Sequence, residues 1–83
     1  MDIGGIVYDK ILSREMVIIG KTNQYYLIHH LIRIKNVRFS EKDIRRRLEK
    51  DLMSLKEAEK LGITTYTKEY INEIAEKFAL YKT

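Results

Sequence analysis

The sequence predicts an α+β fold: a short N-terminal β-hairpin followed by two or three helices, the last two packed as an antiparallel or helix-turn-helix-like pair. Three observations lead there. Two Ile/Val-rich runs, at residues 6–8 and 17–19, are too short to bury a helical face and read as strands. Ile44, Leu48, Leu52 and Leu55 recur at spacings of four, four and three, the repeat of one helical face. Gly62 can then close one helix in the left-handed conformation, and Thr67 can cap the start of the next. With 83 residues the chain has room for one small domain, taken as 1–83, and not for two independent cores.

In chain order, the two N-terminal strands are joined by Asp9–Glu15, and Lys21–Gln24 forms a turn after Gly20. The stretch "YYLIHHLIRIKNVRF" supports two readings. As a strand it has Ile28, Ile32 and Ile34 on one parity; as a helix it has Leu27, Ile28, Leu31 and Ile32 on one side. The longer i, i+3, i+4 pattern favours a helix from about Gln24 to Ile34. Ser40 and Asp43 then resemble a capping box, with Phe39 and Ile44 as a hydrophobic staple, opening a helix that runs to Leu61. The last helix runs from about Thr67 to Tyr81, with Ile71, Ile74, Ala75 and Phe78 facing inward.

Charge is regional. Between Arg33 and Lys50 stand eight basic residues and three acidic ones, a local charge of +5, while the rest of the chain carries eight basic and nine acidic groups, or −1. A regional positive field selects anionic partners. Within the run Arg45–Arg46–Arg47, a helix gives Arg45 the carboxylates Glu41 and Glu49 four residues away, and gives Arg47 Asp43 and Asp51. Arg46 has only Lys42 and Lys50 at that spacing. The stripe Lys42, Arg46, Lys50 is therefore the candidate phosphate-contacting surface, extended by Arg33, Lys35 and Arg38. Tyr25 and Tyr26 are candidate stacking residues for unpaired bases.

These features point to a small DNA- or RNA-binding protein, expected as a homodimer with Met53 and the tyrosine-rich margins as contacts. The alternative is a noncatalytic adaptor or inhibitor whose basic region meets an acidic protein. Residues 54–74 carry parts of a helix-turn-helix, with Ala58, Gly62, Ile63 and Ile71 in place, but Glu57 and Lys68 depart from its pattern. The outward face of the last helix, with Glu69, Asn72, Glu73 and Glu76, is also a poor surface for a phosphate-lined groove.

Enzymatic function has little support, and no cofactor or metal is expected. Cysteine is absent, which removes thiolate chemistry. Adjacent His29 and His30 diverge in either a strand or a helix. "IIGKT" ends like a phosphate-binding loop but has Glu15 where the first glycine belongs. No apolar run reaches membrane-spanning length and no secretion signal opens the chain, so a cytoplasmic location is expected, without membrane partners. Twelve Ile, ten Lys and eight Glu residues are a composition compatible with a heat-adapted source.

Overall fold

A computed structural model describes residues 1–31 and 41–82, with side chains at 1–31 and 42–76. The described chain forms β1 (Ile6–Asp9), β2 (Arg14–Lys21), β3 (Tyr26–His30), β4 (Arg45–Arg47), β5 (Leu52–Ser54), α1 (Leu55–Leu61) and α2 (Lys68–Lys82). Two 3-10 turns, Glu41–Asp43 and Glu49–Asp51, flank β4. The strands make one antiparallel sheet in the order β4-β3-β2-β1-β5, followed by the two helices.

The chain's path requires that sheet to curl. A flat five-stranded sheet would hold its outer strands about 19 Å apart. The segment from Arg47 to Leu52 joins those two edges in five steps. Three of its residues lie in a 3-10 turn, which limits the reach to about 13 Å. A register shift between Ile18 and Gly20 supplies bending within β2. Gly20 also admits Leu27, whose Cδ1 lies 3.2 Å from where a β-carbon would stand. The result is a half-barrel.

Both faces of the sheet are covered, and alternation along β2 serves two cores. Met16 and Ile18 join Val7, Tyr26, Ile28 and Leu52 inside the curl. Val17 points the other way and packs with Leu31, Ile71 and Ile74, beneath α2. This explains why "MVII" reads as a continuous apolar run rather than an alternating one.

The N-terminal hairpin expected from the sequence is thus the first part of a larger sheet. Two helices do follow it. Ser54 caps α1 by accepting from the Glu57 amide at 3.2 Å, and Gly62, at φ 68°, ends the helix as expected. The Gly62 amide donates to Glu59 and that of Ile63 to Ala58, the paired bonds of a Schellman ending. Thr67 accepts from the Tyr70 amide at the start of α2. α1 lies against β1 and β5, and Leu55 at its start packs in the same cluster as Ile71 and Ile74 of α2, against the face of the sheet that carries Val17.

Two helical expectations are corrected. Residues 26–30 form β3, while the remainder of the expected helix beyond Leu31 lies outside the described residues. Tyr26 and Ile28 face one core and Leu27 the opposite side; apolar residues on both parities imitated a helical pattern. Residues 41–54 form short turns and strands instead of one helix. Leu52 is buried and Ile44, Leu48 and Leu55 are half-buried, so the same apolar positions are covered by a different route. Ser40 and Phe39 of the expected cap lie outside the described residues.

Candidate functional site

The three consecutive arginines occupy β4, an edge strand, and alternation gives them separate surroundings. Their partners on β3 fix the faces: Arg47 stands opposite Tyr26, Arg46 opposite Leu27 and Arg45 opposite Ile28. Arg45 and Arg46 are exposed, and neither makes an ion pair among the described residues.

Arg47 turns inward. Its Nε donates to both carboxylate oxygens of Asp9, at 3.2 and 3.1 Å. The Asp9 side chain is fully buried and that of Arg47 is 14% exposed. In a flat sheet their strands would be about 14 Å apart, so this pair spans the interior of the curl. Asp9 Oδ1 also accepts the Ile11 amide at 2.9 Å, anchoring the turn after β1. Arg47 Nη1 donates to the Arg46 carbonyl at 3.0 Å, fixing the β4 backbone beside the exposed guanidinium groups. The acidic partners expected for Arg47 in a helix, Asp43 and Asp51, are replaced by a residue 38 positions away.

A groove of about 570 Å³ opens at β4, lined among the described residues by Leu27, Ile44, Arg45, Arg46 and Arg47. Leu27 and Ile44 are both half-buried, giving the groove an apolar component beside the guanidinium groups. This combination was not visible in a helical reading of residues 41–54. The signal available in the sequence was the like-charge series Lys42, Arg46, Lys50, which is unfavourable on a helix and unconstrained in a strand between turns.

The proposed helical stripe has no helix beneath it. Lys42 lies in the first 3-10 turn, Arg46 at the centre of β4 and Lys50 in the second turn. All three are exposed. Arg33, Lys35 and Arg38 lie outside the described residues. Tyr25 is 38% exposed beside the Thr22 turn, where its amide donates to Thr22 Oγ1. Tyr26 is 7% exposed and belongs to the inner core, with Lys21 Nζ 5.2 Å from its ring centroid, so packing occupies the ring expected to stack. Met53, expected at an exposed margin, is half-buried on β5.

Glu15 is a second buried carboxylate missed by the sequence reading. It is 1% exposed and faces the connection between the helices. Thr65 donates through its amide to both carboxylate oxygens and through Oγ1 to Oε1, while the Tyr66 amide donates to Oε2 at 2.8 Å. These bonds tie residues 65 and 66 to β2 and position α2 over the sheet. Tyr66 and Tyr70 stack at 5.1 Å beside the same core. "IIGKT" forms the end of β2 and the following turn.

Among the described residues there is no group of three metal-ligating side chains, and no helix is long and apolar enough to cross a membrane. No family model matches the chain, and no curated protein or solved structure matches it.

Proposed function

We propose that this protein binds nucleic acid through phosphate contacts centred on the β4 edge. The observation carrying the reading is the exposure of Arg45 and Arg46 on adjacent residues, without carboxylate partners among the described residues. Both guanidinium groups are always charged and can grip phosphate oxygens in a two-pronged geometry. Lys42 and Lys50, exposed in the turns on either side of β4, broaden the positive surface. Arg33, Lys35 and Arg38 supply further charge in the neighbouring sequence. Arg47 has a positioning role through Asp9 and the Arg46 carbonyl.

The outward α2 residues Glu69, Asn72, Glu73 and Glu76 are exposed, and this acidic face disfavours the usual helix-turn-helix approach to DNA. Binding is therefore assigned to the sheet edge. Fluorescence anisotropy with DNA and RNA oligonucleotides at about 50 and 200 mM salt tests it. Affinity should fall with salt, and Arg45→Gln/Arg46→Gln should weaken binding and flatten the dependence by about 1.5 units of log–log slope. Absence of binding at the lower salt concentration, or an unchanged slope in a folded double variant, would reject the assignment.

A further inference from the structure

We infer that the β4 groove accepts an unpaired nucleotide, with its base against Leu27 and Ile44 and its phosphate held by Arg46, which shares their face of the edge strand. This deepens the nucleic-acid reading and rests on it. The groove combines two surfaces that a nucleotide also combines: an apolar component from half-buried Leu27 and Ile44, and the exposed cationic Arg46, which stands opposite Leu27 across the β3–β4 pair. Its volume, about 570 Å³, lies within the roughly 300–1,000 Å³ typical of sites that bury a small organic ligand. The Arg46 carbonyl is held by Arg47, and Arg47 by buried Asp9, so the edge strand does not have to be ordered by the ligand.

Pairing state follows from the apolar lining. In a duplex the base faces are stacked on one another and the outer surface presents phosphates and polar edges, which match the arginines but leave Leu27 and Ile44 unused. An unpaired base can turn its flat face onto those two side chains while its phosphate stays at the Arg46 guanidinium group. A purely electrostatic surface would favour the duplex, whose phosphates stand at higher charge density, so preference for the single strand at equal phosphate number points to the apolar lining.

The test compares oligo(dT) with a DNA duplex carrying the same number of phosphates, by anisotropy at about 50 and 200 mM salt. Leu27→Ala and Ile44→Ala should each weaken oligo(dT) binding about tenfold while leaving its salt slope and duplex binding unchanged. Thermal unfolding followed by circular dichroism accompanies both variants, because Leu27 also packs over Gly20; if Leu27→Ala does not fold, Ile44→Ala alone decides. Equal binding of the two DNA forms, with no effect of Ile44→Ala, would overturn the unpaired-nucleotide site while the phosphate-binding reading stands. Failure of the wild-type protein to bind either DNA at low salt would overturn both.

Discussion

Asp9 and Arg47 each place a charge where little water can reach, and each depends on the other to keep it there. Losing one partner strands the second, whereas replacing both with apolar groups removes the desolvation cost together with the attraction. Asp9→Ala should therefore destabilise the protein by about 3 kcal/mol, and Asp9→Leu/Arg47→Met should recover most of that loss in urea unfolding. Glu15 is held differently, by four donor contacts from two residues. Glu15→Gln retains one carbonyl oxygen but turns an amide donor toward other donors. A loss of about 2 kcal/mol is expected, with faster hydrogen exchange at the Thr65 and Tyr66 amides; unchanged protection there would contradict the latch.

At the scale of elements, the signals that proved legible were local chemistry. Gly62 and Thr67 perform termination and capping through bonds within a few residues, which is why α1's end and α2's start could be read from the chain, whereas the cap at Ser54 was hidden inside the longer helix expected from Ser40. Gly62 has open space around its missing β-carbon and φ 68°, so Gly62→Ala isolates the backbone effect. It should cost about 1 kcal/mol, measured as a lower urea midpoint with an unchanged m-value. The misread elements β3, β4 and β5 are those whose identity depends on pairing with other strands. Leu27 and Ile28 supplied apolar residues on both parities because both sides of the sheet are used, and Arg47's true partner became apparent only once β1 and β4 were brought together by curling. The spacing of Ile44, Leu48, Leu52 and Leu55 marked coverage correctly but not the secondary structure that produced it.

At the scale of the whole molecule, the half-barrel divides the arginine run between structure and surface. Arg47 helps close the curl, and the same closure leaves Arg45 and Arg46 on an exposed edge next to Leu27 and Ile44. Their charges also discourage edge-to-edge pairing with another copy, a role compatible with phosphate binding because a polyanion satisfies the guanidinium groups that repel a second basic edge. The composition of residues 33–50 is the basis for expecting an anionic partner, but the helical geometry expected for its contacts is not the one found: Lys42, Arg46 and Lys50 occupy three different elements. An NMR titration of the labelled protein with oligo(dT) examines the surface and the clasp together. Amide shifts should concentrate at Leu27 and Ile44–Arg46 while the Arg47 Nε–H resonance keeps the signature of its bond to Asp9. Shifts centred on the outward face of α2, or none at a concentration that saturates binding, would contradict a nucleic-acid site at β4.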